Sequence, residues 1–181
     1  MESGICWGAV ILLFIILVVY SGHAQKKRAE QKNTARKEEA KRFAQRPVEI
    51  IQESMDLIKK TKNLDTVIGR FDTIFNQLDQ LSKLLIQYEC PDLLKPSPQE
   101  MKEFYSKKRD EFIRDFVIEQ SDDDIGRANA VTRNSSKIAM LDKALLRLFD
   151  GKKALNNKDY MGDIEKKENE IRQMIEAIKQ S

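Results

Sequence analysis

Asp122, Asp123 and Asp124 are the only run of three carboxylates in the chain. Hard oxygen donors at that density could hold calcium or magnesium. The spacing argues against it. Consecutive helical positions point in different directions, about 100° apart. No second ligand cluster follows, and the spacing of a calcium loop is absent. Carboxylates near a helix start are favoured by its dipole without any metal. The single histidine, His23, adjoins an apolar run and reads as an interfacial residue, not as a base or ligand. Cys6 lies in that run and Cys90 in an expected loop, so no disulfide framework is implied. Arg70 and Asp72, set among apolar residues, are expected to form a structural ion pair at the edge of a bundle. There is no phosphate-cradling glycine loop, no Cys-x-x-Cys, no paired-histidine motif and no nucleophile elbow. Other acidic residues fall within a helical turn of Lys or Arg, as in "IEKKENEIRQ". No catalytic residue, cofactor or metal is therefore expected, nor a small-molecule substrate.

The strongest physical signal is the run "ICWGAVILLFIILVVYSGHAQKKR", Ile5 to Arg28. Crossing about 30 Å of hydrocarbon takes about 20 apolar residues. Ser3 to Gly22 has that length and no charged side chain. Ile5, Leu12, Leu13, Phe14, Ile15, Ile16 and Leu17 are expected in the lipid. Trp7 and Tyr20 sit near the two ends, where amphipathic rings favour the headgroup zone. A secretory signal has a positive start and an apolar core of roughly 7–15 residues. This start, Met-Glu-Ser-Gly, carries no Lys or Arg, and the apolar run is longer. Gly22 and Ala24 are nevertheless small residues two apart, as a cleavage site requires.

The charge is distributed unevenly. The chain has 181 residues, 32 Lys plus Arg, 29 Asp plus Glu and a net charge of +3. Between Lys26 and Arg46 there are nine cations and three anions; from Pro47 onward 23 cations face 25 anions. The positive-inside rule then leaves residues 1–4 outside the cell membrane and the body in the cytoplasm. Lys26, Lys27, Arg28, Lys32, Arg36 and Lys37 are expected against anionic headgroups, at about 1 kcal/mol each near the surface. The stretch 23–46 is rich in good helix formers. Its only large hydrophobe is Phe43, so it reads as a helical stalk solvated on all sides. Nucleic acid is a weaker partner for it, because no aromatic residues are interleaved with the cations.

Residues 47–181 read as a soluble bundle of about five helices. Pro47 suits the first turn of a new helix, with Val48, Ile51, Met55 and Ile58 on one face. Asp65 or Thr66 could cap the next. There Leu64, Val67, Phe71, Ile74, Leu78, Leu81, Leu85 and Tyr88 follow a three-four alternation. Ile68, Phe75 and Leu84 widen that stripe beyond a coiled-coil seam, as an interaction face or a bundle core requires. "CPDLLKPSPQE" holds three of the four prolines and divides the body near residues 90–98. Ser97-Pro98-Gln99-Glu100 combines a capping box with proline at the first helical position. The helix it opens, carrying Met101, Phe104, Tyr105, Phe112, Ile113 and Phe116, is expected to reach Glu119 or Gln120. Ser121 to Asp124 either caps a short further helix or continues this one. Ile138, Leu141, Leu145, Leu148 and Phe149 make another face after Ser135 or Ser136. Tyr160, Ile164, Ile171, Met174, Ile175 and Ile178 mark a terminal helix, interrupted at Lys167 or Glu168. The fold class is thus all-α: one N-terminal transmembrane helix (5–22), a basic helical stalk and an antiparallel multi-helix bundle.

"IIQESMDLIKKTKNLDTVIGRFDTIFNQLDQL", Ile50 to Leu81, resembles a helical module of uncharacterised Gram-positive bacterial and prophage proteins. In the module an Ile-rich helix leads into a Thr-Lys-Asn turn, here Thr61-Lys62-Asn63. An Arg-aromatic-Asp triplet follows, here Arg70-Phe71-Asp72. "KKRDEFIRDFVIEQ", Lys107 to Gln120, is similar to its later helix. Leu64 stands where a proline is common, and "TRNSSK" replaces a Lys/Gly-rich stretch. The resemblance implies a bacterial, all-helical protein and no activity. The expected role is a membrane-anchored scaffold binding a protein partner, or a second copy of itself, by helix-face recognition. The alternative is an exported helical effector or lipid-surface binder, released by cleavage near Ala24.

Overall fold

The computed structural model describes the backbone of residues 3–180 and the side chains of residues 25–180. Among the described residues there are five α-helices, two short 3-10 turns and no strand, so the chain is all-α. The helices are α1 (Ser3–Ile58), α2 (Leu64–Gln87), α3 (Pro98–Ala130), α4 (Asn134–Ala154) and α5 (Met161–Gln180). The 3-10 turns Pro91–Leu93 and Lys158–Tyr160 lie in the α2–α3 and α4–α5 connections. Among the described residues no helix is long and apolar enough to cross a membrane. The side chains of the expected anchor, Ile5, Trp7, Leu12, Leu13, Phe14, Ile15, Ile16, Leu17 and Tyr20, lie outside them.

α1 runs 56 residues, about 84 Å at 1.5 Å per residue. The new helix expected at Pro47 does not form there; α1 continues through the proline. An interior proline removes one helical hydrogen bond at a cost of about 3 kcal/mol. Packing outweighs it: Ala40, Ala44, Ile51, Ser54 and Ile58 are buried on one stripe that passes either side of Pro47. The stalk is therefore not solvated on all sides. From Gln25 to Ala35 it is exposed, but Arg36 pairs with Glu89, and Phe43 stacks on Tyr88 with ring centroids 6.0 Å apart.

α2 packs antiparallel between α1 and the first half of α3. Its N-cap is Asn63, which accepts from the Thr66 amide at 3.1 Å; neither Asp65 nor Thr66 has that role. Asn63, directly before Leu64, reaches the orphan amide three residues on. α2 ends in a 6→1 bond from Cys90 N–H to Leu85 C=O (2.9 Å) and a bond from Glu89 N–H to Ile86 C=O (3.0 Å). This termination needs a left-handed residue, and Glu89 supplies it at φ 55° where glycine is usual.

α3 opens on the expected Ser97/Glu100 capping box. It does not end at Glu119 or Gln120 but continues to Ala130, 33 residues in all. Ser121, Asp124 and Ala128 extend the buried stripe of Ile113 and Val117, so burial overrides the capping potential of Ser121-Asp-Asp-Asp. This length gives α3 two roles. Its first half lies against α2, where Phe71 meets Phe112. Its second half forms an up-down-up bundle with α4 and α5. Gly151 of α4 lies so close that an added Cβ would come within 2.7 Å of both Val117 methyl carbons. The core is one continuous cluster from Ala44 on α1 to Ile175 on α5.

Candidate functional site

Val67, Phe71, Ile74, Leu78, Leu81 and Leu85 are all buried, so the apolar stripe of α2 closes within one chain. Leu64 and Tyr88, at its ends, are half-buried. That stripe is core and leaves no face for a partner. The cations expected at a membrane surface divide differently. Lys26, Lys27, Arg28, Lys32 and Lys37 are exposed; Arg36 is half-buried against Glu89.

The carboxylate run of α3 is engaged by cations. Asp124, 2% exposed, accepts from Arg147 Nε at 2.7 Å, with Arg127 and Lys143 each 3.7 Å away. Asp122 pairs with Lys167 of α5 at 2.6 Å. Lys167 and Glu168, both half-buried, together interrupt the α5 stripe. Burial opposes the charge of Lys167, but hydrogen bonds to Asp122 and Glu170 outweigh burial and raise its pKa. Lys152 of α4 is held similarly by Glu168 and Glu165, again against burial. Among the described residues no group of His, Cys, Asp or Glu is arranged to hold a metal. The cluster locks α3, α4 and α5 together.

A second buried ionic group was not legible in the sequence. Asp110, also 2% exposed, accepts from Arg109 at 2.8 Å and from the backbone amides of Asn156 (3.2 Å) and Asn157 (2.8 Å). It ties the α4–α5 connection to α3 and satisfies amides that would otherwise be orphaned. Arg70 and Asp72 do not form the expected pair; among the described residues neither enters an ion pair, and Asp72 faces solvent. Cys90 is buried and free, its thiol donating to Tyr88 C=O at 3.2 Å.

Concave regions among the described residues include the following pair. One, about 300 Å³, lies between α1 (Asn33, Lys37) and the α2–α3 connection (Glu89 to Leu93). The other, about 570 Å³, lies between the α1–α2 turn (Lys62 to Asp65, with Ile68) and α4 (Arg147, Asp150, Lys153, Ala154). Both mix cations with carboxylates, and neither presents a nucleophile beside a base. Uncovered hydrophobes are spread over four helices: Phe43, Val48 and Leu57 on α1, Ile86 (74% exposed) on α2, Phe104 (56%) on α3, and Leu146 and Phe149 on α4. Compared with known protein families, curated proteins and solved structures, the chain has no match in any of the three.

Proposed function

We propose that the chain is a single-pass membrane-anchored scaffold whose helical bundle recognises a protein partner in the cytoplasm. The observation that carries this reading is the continuity of α1. One helix joins the apolar run, the exposed cations of residues 26–37 and the stripe buried against α2. Such a helix transmits position: where its start is anchored, the bundle stands at a set distance from the membrane. The net positive flank after the apolar run supports a cytoplasmic bundle. The uncovered Leu146 and Phe149 of α4, beside the larger groove, are the surface offered to the partner. No catalytic role is assigned, and the reading does not rest on the resemblance to the bacterial and prophage module.

Two measurements test it together. Protease added outside sealed cells should leave the bundle intact and digest it only after the membrane is opened. The intact mass should include residues 1–24. A mature chain beginning at Gln25, or digestion from outside, would replace this reading with the exported protein.

A further inference from the structure

We infer that one flank of α1 pairs antiparallel with the same flank of a second copy, so that a chain anchored in one membrane holds a chain anchored in a facing one; the bridge between membranes rests on the anchored reading above. Phe43 (51% exposed), Ile50 (half-buried) and Leu57 (42% exposed) stand at seven-residue intervals on α1. A row at that interval drifts only about 20° per step, which a left-handed crossing of two helices follows. Beside it runs a second row at the same interval, Glu39, Arg46, Glu53 and Lys60, all exposed and alternating in sign.

The signs select the occupant. A two-fold contact between copies sets residue i against j and j against i. Parallel and in register, it would set Glu39, Arg46, Glu53 and Lys60 each against its own copy, and like charges face to face reject a partner. Antiparallel, with the two-fold axis at Ile50, it sets Arg46 against Glu53 and Glu39 against Lys60, each twice. In that same register Phe43 meets Leu57, and Ile50 meets itself. The next row round the helix, Arg42, Glu49 and Asp56, sets Arg42 against Asp56. Only Glu49 faces its own copy, and it has Gln45 and Arg46 of its own helix as partners. Arg46 reaches Glu49 and Glu53 of its own chain through Nη1 alone, at 3.4 Å, which leaves Nε and Nη2 for the second copy. The adjoining side of α2 is marked by Tyr88, on which Phe43 stacks. Arg70, Gln77, Leu84 and Tyr88 share that side at spacings of seven and four, and Arg70 is its one charge.

Antiparallel helices start at opposite ends, so two anchored chains pair this way only from two membranes. Ile50 lies 28 residues beyond Gly22, about 42 Å of rise, which sets the membranes about 84 Å apart. Counted from the Phe71–Phe112 contact, α3 runs eleven residues past the start of α2. That is about 16 Å beyond the level of Ile58, still inside the gap. One such contact is small, but many copies held between two membranes act together through their effective concentration.

The test puts the full chain into vesicles of phosphatidylcholine alone, where the basic stretch finds no anionic lipid to adsorb to. Flotation reports the anchor, and light scattering reports clustering of the vesicles. The natural chain should raise scattering severalfold over empty vesicles. Arg46→Glu on every vesicle, or Glu53→Arg on every vesicle, should abolish that rise. Arg46→Glu on one population mixed with Glu53→Arg on another should restore it, because opposite charges then meet at both crossings. Ile50→Asp, which sets two carboxylates together on the two-fold axis, should abolish it in every mixture. Arg46 and Glu53 are exposed and Ile50 half-buried, and circular dichroism verifies that each variant keeps the fold. Three results overturn the pairing and spare the anchor: floating vesicles that the natural chain leaves dispersed, clustering that survives the single reversals, or a mixture that stays dispersed. A natural chain that fails to float overturns the anchored reading and the bridge with it.

Discussion

Asp110 and Asp124 show how context sets the energy of a charge. Asp110 holds a buried guanidinium and two backbone amides. Replacing it with alanine strands all three, and breaking a buried pair costs about 3–5 kcal/mol. Asp110→Ala should therefore lower the unfolding free energy by about 3 kcal/mol or more, and Asp110→Asn by less, in denaturant titration of the full chain. Asp79, whose side chain is half-exposed and pairs with Lys102 at 2.8 Å, provides the contrast. Asp79→Ala should cost under about 1 kcal/mol. Glu100 supplies the pH dependence at this scale. Its bonds from the Ser97 amide and then the Ser97 hydroxyl hold its pKa below the usual glutamate value. A depressed folded-state pKa contributes stability above the unfolded value and loses it as pH falls. The Glu100→Gln chain should therefore lose less stability than the natural one as pH falls below about 4.3. Equal loss in the two chains would mean the capping box carries no acid sensitivity.

The elements were legible where apolar spacing was unbroken and hidden where a local signal competed with packing. The α2 stripe reads directly because each member lies three or four residues from the next, and burial follows that spacing. Pro47 and Ser121-Asp-Asp-Asp are genuine start signals, yet both lie inside helices. Capping acts on one turn, whereas the stripes that pass through these positions bury several side chains each. Asp110 was missed because a carboxylate in a run of charged residues (Lys107 to Glu111) reads as solvated surface, and Asp124 was singled out only as one of three adjacent carboxylates, without its burial. Only their register with Ile113 and Val117, every third or fourth residue, hinted that they point inward. Two predictions follow from the same competition. Pro47→Ala restores a helical bond and should stabilise the full chain by about 1–3 kcal/mol; unchanged stability would show that α1 is already relaxed there. Gly151→Ala should do the reverse of what helix propensity suggests. Alanine favours a helix over glycine by about 1 kcal/mol, but its Cβ meets two methyl carbons of stiff Val117 at 2.7 Å. Overpacking costs about 1–3 kcal/mol, so destabilisation is expected. Val117→Ala combined with it should recover stability relative to the sum of the single changes, a coupling that a thermodynamic cycle measures.

At the scale of the whole molecule, α1 couples the membrane to the bundle only if it behaves as one rigid rod. The exposed stretch 25–35 is where that could fail, since no described partner braces it before Arg36. It is nevertheless rich in Ala, Lys, Glu, Gln and Arg, which favour a helix even without tertiary support. Helical phase discriminates a rod from a hinge. A second copy of Ala29 to Ala35 inserted after Arg28 adds seven residues, lifting the bundle about 10 Å and turning it by only about 20°. A five-residue insertion lifts it about 7.5 Å but turns it by about 140°. With a fluorophore on α2 or on α4 and acceptor-labelled lipid headgroups in nanodiscs, a rigid α1 predicts that the seven-residue insertion lowers energy transfer for both labels alike, from height alone. The five-residue insertion should change the two labels by different amounts, because it also turns the bundle about the α1 axis. If both insertions leave transfer unchanged, the stalk bends, and the anchor does not set the height of the bundle.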